Sequence, residues 1–393
     1  MKDGKIKAAV VGLRFGGEFP GIYRDHPDVY ETVICEKDRP LLDAYGDMFG
    51  YDERYEDYDE LLKSDVDVIH ITTGIPNHYE LTMKALRAGK HCACTVPMAT
   101  TLEELEDICR LQKETGLKYM MMETTVYTFQ TLHAKKMMEN GEFGKIQYMR
   151  GIHFQDMEDW PDYWMGLPPM HYGTHAVAPL LYLSKAKPES VTCCGSGMMR
   201  QELVERYGNP FPVETATVRF KGEPFVADIT RSLFETAHDY VEGFTILGDK
   251  GAIEMNVECE PPRVSRFMDD LEEHLAQQRD PARFGMGARG RWIKTEPAEM
   301  DRDNSVLPES IRKYSFEVTV LDADNPHNSI RQGGGHWGSH PYMVHEFLRS
   351  VVEDREPEIN AAAGAYITAV GVAAHLSAMQ QGKPVEIPDF ENL

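Results

Sequence analysis

A chain of 393 residues with 42% hydrophobic side chains holds enough apolar material for two domain cores, and a formal net charge of -23 argues against a nucleic-acid partner, which is bound by clustered Lys and Arg. The seven cysteines are odd in number and mostly sit in apolar, strand-like segments, unlike a secreted disulfide framework; they read as buried thiols in a reducing, cytoplasmic setting. The start MKDGKIKAAVVG lacks the apolar core and cleavage site of a signal peptide, and no later run is read as long enough to span a membrane, so no membrane partner is expected.

KAAVVGL reads as a strand, followed by a helix through residues 17 to 25, a strand at ETVICE, a helix near 39 to 48 and a strand at VDVIHITT. A helix from about His78 to Ala88, a strand at HCACTV, a helix at LEELEDICRLQKETG and a strand at KYMMME continue the rhythm. Strands separated by helices pair in parallel, so this alternation predicts an α/β domain of the Rossmann type, a doubly wound parallel sheet, over residues 1–125. Beyond Thr125 a helix at TLHAKKMMENGEFG precedes the alternating stretches KIQYMRGIHF, SVTCCGSG, ETATVRFK, PFVADITRSLF and FTILGDKGAIEMN. They predict an α+β domain over residues 126–393 with a large open-faced, mostly antiparallel sheet. Residues 261 to 335 lack sustained periodicity and read as a surface excursion, an insertion or a lid. PYMVHEFLRSVV and AAAGAYITAVGVAAHLSAMQQG then read as two helices, the second apolar over much of its surface.

In VVGLRFGG, Gly12, Gly16 and Gly17 leave a strand and open a helix, where a tight turn carrying Phe15 lets backbone N–H groups and the helix dipole meet a pyrophosphate. Arg14 stands where the G-x-G-x-x-G pattern has its second glycine, so its side chain has to turn outward or lie along the phosphates. Glu36 ends the second strand, where a carboxylate accepts hydrogen bonds from the adenosine ribose and repels a ribose phosphate, favouring NAD over NADP. Lys37 beside it can pair with that phosphate and softens the preference.

The order of signals resembles the Gfo/Idh/MocA family of NAD(P)-dependent oxidoreductases along nearly the whole chain: VVGLRFGG, TTGIPNHYELTMKALRAGKHCACTVPMATTLEE, METTVYT, HYGTHAVAPLLY and FTILGDKGAIE. The resemblance implies that Thr73, Asn77 and His78 border the nicotinamide half of the cofactor, and that Thr95, Val96 and Pro97 take the place of the family's Glu-Lys-Pro. The family lysine lies near the reacting hydroxyl, where a cation lowers its pKa and holds it; Val96 can do neither, which marks an atypical branch. The second family signature, Asp, Gly, His and often Asp, reads His171, Gly173, His175 and Ala178, so both carboxylates are gone and the central histidine stays.

His175 is therefore the candidate general base, since an imidazole titrates near neutral pH. His171, four residues earlier, shares its face if the segment is helical, and is a candidate second acid/base. Tyr127, as a catalytic group, and Glu123, as a cofactor contact, are candidates at the end of METTVYT. A satisfied interior histidine and a two-imidazole zinc site are the alternatives; no glutamate lies between the two histidines, and no metal is expected. Trp160, Tyr163, Trp164 and Tyr172 in DMEDWPDYWMGLPPMHY suit stacking on a sugar ring or an aryl aglycone, and equally packing under the sheet. GGGHWGSHPY sets glycines beside His336 and His340, as in a loop that closes on a polar ligand.

These readings predict NAD-dependent oxidation of a hydroxyl of a sugar, polyol or glycoside, carbon 3 of a pyranoside being one candidate position. A redox-neutral glycoside-cleaving enzyme that retains its NAD, and a non-catalytic NAD-binding sensor, are the alternatives. An exposed apolar sheet face would also have to be covered, which predicts a homo-oligomer.

Overall fold

In the computed structural model, which describes residues 1–158, 166–255, 261–267, 293–300, 302–316, 319–320 and 331–393, the apolar runs of the first third become one parallel sheet. Its strands are β1 (Ile6–Val11), β2 (Val29–Cys35), β3 (Arg54–Tyr55), β4 (Val68–Ile71), β5 (His91–Thr95) and β6 (Tyr119–Met122), in the order β3-β2-β1-β4-β5-β6. β1 and β4 are buried at every position, as a sheet covered on both faces requires. Strand order reverses between β1 and β4, and the crevice beyond their carboxyl ends is where doubly wound sheets take ligands. The helix expected over residues 17 to 25 is divided: Phe15–Glu18 forms a 3-10 turn and the α-helix runs Pro20–Asp25. Pro20 has no N–H to donate and is accommodated only in a first turn.

The second sheet has nine strands: β7 (Ile146–Phe154), β8 (Pro188–Ser196), β9 (Val213–Phe220), β10 (Val226–Ser232), β11 (Val241–Gly248), β12 (Gly251–Met255), β13 (Arg263–Phe267), β14 (Ile293–Pro297) and, after the small ribbon of β15 (Thr319–Val320) and β16 (Arg331–Gln332), β17 (Val385–Glu386). Their order is β14-β13-β12-β11-β7-β10-β9-β8-β17, with β7 and β10 parallel and the other neighbours antiparallel. β13 and β14 correct one expectation, since they fall in the stretch read as lacking regular structure and extend the sheet past β12.

Period-2 alternation divides this sheet into two faces. On β9, Glu214, Ala216, Val218 and Phe220 are buried while Thr215, Thr217 and Arg219 are exposed. The outward face also carries Thr192, Arg150 and Asp228, and Thr217 donates to Asp228 at 2.9 Å. By the same alternation Tyr148, Val226 and the exposed Leu247 lie on this face, which is mixed in character. The inward face meets the helix Thr174–Ser184, which lies along β7.

The C-terminal helix Ala361–Met379 is buried on nearly every side and bridges the two sheets. Just before its start Met121 N–H donates to Ile359 O at 3.0 Å, near its middle Met98 N–H donates to Thr368 Oγ1 at 3.4 Å, and toward its C-terminal end Cys193 N–H donates to Ser377 Oγ at 2.8 Å. With 19 residues it does reach spanning length, contrary to the reading of the sequence, but most of its surface is inside the protein. Of the described cysteines, Cys35, Cys92, Cys94, Cys109 and Cys193 are buried thiols and Cys194 is exposed; Cys259 lies outside the described residues.

Candidate active site

The glycine turn closes against the end of β4. Gly12 adopts φ +94°, and a Cβ at Gly16 would lie 1.8 Å from Thr72 Oγ1, so a side chain at Gly16 is excluded by a neighbour in the fold. Glu36 is tied to this turn: its Oε2 accepts from Leu13 N–H at 2.8 Å and its Oε1 from Asp38 N–H at 3.0 Å. Each carboxylate oxygen keeps a lone pair for a further donor such as a ribose hydroxyl. Arg14 turns outward toward Asp38, 3.5 Å away, which removes its bulk from the turn. His78, buried, sets Nδ1 2.7 Å from Pro97 O and Nε2 3.0 Å from Thr73 O, and so holds the Thr95–Val96–Pro97 segment against the loop after β4. This donor set, glycine turn and strand-end carboxylate fit a dinucleotide.

At the other end of the same cleft stands His175, 3% exposed, in the first turn of Thr174–Ser184. Its Nδ1 lies 2.6 Å from Glu123 Oε1, which also accepts from Thr125 N–H (3.1 Å) and Thr125 Oγ1 (3.0 Å). An ionised carboxylate only accepts, so the His175 proton sits on Nδ1 and the lone pair on Nε2, 3.4 Å from Tyr172 Oη and 4.0 Å from Glu242 Oε1. Burial pulls the imidazole pKa down, but the Glu123 and Glu242 charges outweigh it and the net shift is upward. Burial pushes Glu123 up, and the His175 charge and the Thr125 hydrogen bonds bring it below its ordinary value. Glu242, also buried and accepting from Tyr240 Oη, is raised by burial.

Beneath His175 a row of buried polar side chains crosses four adjacent strands: Glu214 on β9, Arg231 on β10, His153 on β7 and Glu242 on β11, each opposite the next in register. The Arg231 guanidinium donates to Tyr172 O (2.9 Å), His153 O (3.2 Å), Ser232 O and Gln155 Oε1 (3.0 Å), and burial lowers its pKa to about 10. His153 packs 5.2 Å from the His175 ring, and burial with the Arg231 charge holds it well below the usual imidazole range, hence neutral. These residues were not picked out in the sequence. The signal was available: His153, Glu214, Arg231 and Glu242 are ionisable types on the inward phase of strands whose alternation is otherwise apolar.

Gly12, Arg14, Phe15, Glu36, Thr73, Asn77, His78, Thr95, Val96, Tyr172, His175 and His336 all line one cleft of ≈ 1330 Å³. Gly16 and Pro97 stand immediately behind it, the first packed on Thr72 and the second bonded to His78. Among the described lining residues the lysine and arginine side chains are Lys37 and Arg14, both at the glycine-turn end.

Four expectations need correction. His171 does not share a face with His175, because the 3-10 turn Pro169–Tyr172 ends at Gly173 before the next helix starts; it packs edge-on against His375 at 5.2 Å, and burial with that neighbour lowers its pKa to about 3. Tyr127 does not line the cleft; burial first, then the charges of Glu358 and Glu346, push its ionisation up, and its hydroxyl is buried without a partner among the described residues. Glu123 is fully buried behind His175 instead of lining the cofactor cleft. His340 is buried one layer behind His336, at 3.0 Å from it. Tyr163 and Trp164, with Trp160, lie outside the described residues.

Residues 6–123 match the profile of an oxidoreductase family with an NAD-binding Rossmann fold, and residues 131–254 match the GFO/IDH/MocA C-terminal domain. A glycosyl hydrolase family 109 protein of Bacteroides thetaiotaomicron is 32% identical over 126 residues, covering 30% of this chain and 27% of that protein, so the matched stretch spans little more than a quarter of the relative's length. The crystal structure of levoglucosan dehydrogenase with NADH and levoglucosan superposes with a TM-score of 0.74 at 19% identity, over 98% of this chain and 100% of that one. Myo-inositol 2-dehydrogenase from Lactobacillus plantarum does so with a TM-score of 0.69 at 18% identity, over 98% and 100%. At such identities these structures establish the shared fold.

Proposed function

Because this chain belongs to the GFO/IDH/MocA family of NAD-binding oxidoreductases, we propose that it oxidises a hydroxyl of a sugar, polyol or glycoside, with His175 as general base and NAD preferred over NADP. The observation that carries the reading is the buried Glu123–His175 pair at 2.6 Å, set at one end of a cleft whose other end is the glycine turn. A protein that only binds NAD has no use for a carboxylate-oriented imidazole at that place. NAD, when bound, accepts a hydride from the carbinol carbon. The protein holds the pyrophosphate at Gly12–Gly16 and the adenosine ribose at Glu36. His175 Nε2 takes the hydroxyl proton, and Glu123 fixes the tautomer and stabilises the imidazolium that forms. The charge of Glu242, 4.0 Å from Nε2, supports the same protonated state. Levoglucosan and myo-inositol, named with two structural neighbours, define the substrate class to try first, with carbon 3 of a pyranoside as one position.

Denaturing the purified protein and identifying the released nucleotide tests the cofactor. Incubating native protein with NAD and a panel of sugars, inositols and aryl glycosides, following NADH absorbance, tests the reaction. NADH formed with one class and lost in His175→Ala is the expected result. Bound nucleotide with no turnover across the panel would favour the sensor instead.

A further inference from the structure

Oxidation of a carbinol by NAD yields a ketone, NADH and one proton, and the proton taken by His175 has to leave before the next turnover. While nucleotide and sugar fill the cleft, it needs another way to solvent. Among the described lining residues, His175 alone borders both the cleft and a second, small cavity of ≈ 10 Å³, which Thr125, Thr128, Thr131, Glu242 and Phe244 help to line. That is about the room one water needs, and several of the walls are polar.

Glu242, buried on the inward phase of β11, sets Oε1 4.0 Å from His175 Nε2. A single oxygen about 2.8 Å from each atom spans that distance by hydrogen bonds. The same Oε1 accepts from Tyr240 Oη, and Tyr240 is 42% exposed. A carboxylate is thus interposed between the buried base and a side chain that reaches solvent. The other ionisable groups packed here are committed elsewhere. Glu123 is held by His175 Nδ1 and Thr125, and the Arg231 guanidinium only donates, to Tyr172 O, His153 O, Ser232 O and Gln155 Oε1. His153, its ring 5.2 Å from those of His175 and Tyr240, is kept neutral by burial and the Arg231 charge. Burial lifts Glu242 above the ordinary 4.5, which brings its proton affinity toward that of an imidazole.

We propose that Glu242 receives the proton His175 takes from the substrate hydroxyl and passes it through Tyr240 to solvent, so that the base is reset while the cleft is still occupied. This rests on the oxidation reading above. The carbinol carbon gives its hydride to the nicotinamide, and the O–H proton goes to His175 Nε2. Through one bridging water the imidazolium gives a proton to Glu242 Oε1 and regains its Nε2 lone pair. The carboxyl then protonates Tyr240 Oη as Oη loses its own proton to water. Carboxylate and phenol are both restored, and one proton reaches solvent for each hydride transferred. Glu242 therefore acts on the reaction through His175.

Stopped-flow mixing of the full chain and NAD with the panel compound that gives most NADH, in weak buffer with a pH-indicator dye, follows hydride and proton separately. In the unmodified protein both are expected at the same rate in the first turnover. Tyr240→Phe keeps the Glu242 charge and should form NADH within a few-fold of the unmodified rate. Its proton should trail NADH by about 10-fold or more, waiting for the ketone to leave the cleft. Glu242→Gln removes the charge as well, so both signals should slow and the proton should still trail. A proton released together with NADH in either variant would overturn the outlet and leave the oxidation reading intact, since Glu242 would then act by its charge alone. No NADH from the unmodified protein with any sugar, inositol or aryl glycoside of the panel would overturn both.

Discussion

Glu123→Gln keeps the shape of the side chain behind His175 and removes its charge. At the observed 2.6 Å, two unit charges in an effective dielectric of about 20 attract by roughly 6 kcal/mol, against a desolvation cost of several kcal/mol per ion. The surplus is what lifts His175 above the ordinary imidazole value of 6.5 and lowers Glu123 below 4.5. His175 holds its proton more tightly folded than unfolded, so its contribution to stability is fully present below pH 6.5 and is lost as pH rises through the raised folded value. Glu123 contributes above pH 4.5 and loses that contribution as pH falls through its depressed value. The pair therefore stabilises most between these limits. In the variant, burial acts on His175 almost unopposed, apart from Glu242, and its pKa drops. The acid limb of kcat/KM should move to lower pH, and kcat should fall about 10²- to 10⁴-fold because the imidazolium formed during proton abstraction loses its counter-charge. Denaturant unfolding near pH 6 should show a loss of about 1.5–3 kcal/mol, the worth of a charge-assisted hydrogen bond, shrinking at alkaline pH where His175 is neutral. An unchanged pH profile with kcat within a few-fold of the unmodified protein would refute the reasoning.

Glu36→Arg should weaken NAD binding by about 1.5–3 kcal/mol and shift preference toward NADP, read by calorimetric titration of both nucleotides; an unchanged NAD affinity would remove Glu36 from the ribose site. Gly16→Ala sets a Cβ 1.8 Å from Thr72 Oγ1 and should cost about 1–3 kcal/mol in denaturant unfolding as well as nucleotide affinity. Tyr127→Phe removes a buried hydroxyl without a described partner, so activity should persist and the denaturation midpoint should stay or rise; a large loss of kcat would restore Tyr127 to the site.

Local chemistry made the first third of the chain legible. Apolar strands alternating with amphipathic helices specify a covered parallel sheet, and VVGLRFGG with Glu36 specifies the glycine-turn end of the cleft, because turn geometry and strand-end position depend on near neighbours in sequence. The same holds for the strands of the second sheet, whose alternation names them but not what faces what. His175 was identified by its place in a motif, yet its partner Glu123 is 52 residues away and was assigned to the cofactor, since nothing local shows that the end of β6 packs behind the helix Thr174–Ser184. His171 failed for the opposite reason: four-residue spacing implies a shared face only within one helix, and the chain breaks at Gly173. The row Glu214, Arg231, His153 and Glu242 exists only once four strands are in register, and the contact of Glu18 with His340 joins residues more than three hundred positions apart. Sequence alone determined the succession of strands in the first third and the glycine turn, which are set by short-range sterics and periodicity. Which ionisable groups share a proton was decided by tertiary packing, because only burial at a fixed distance makes one carboxylate the partner of one imidazole.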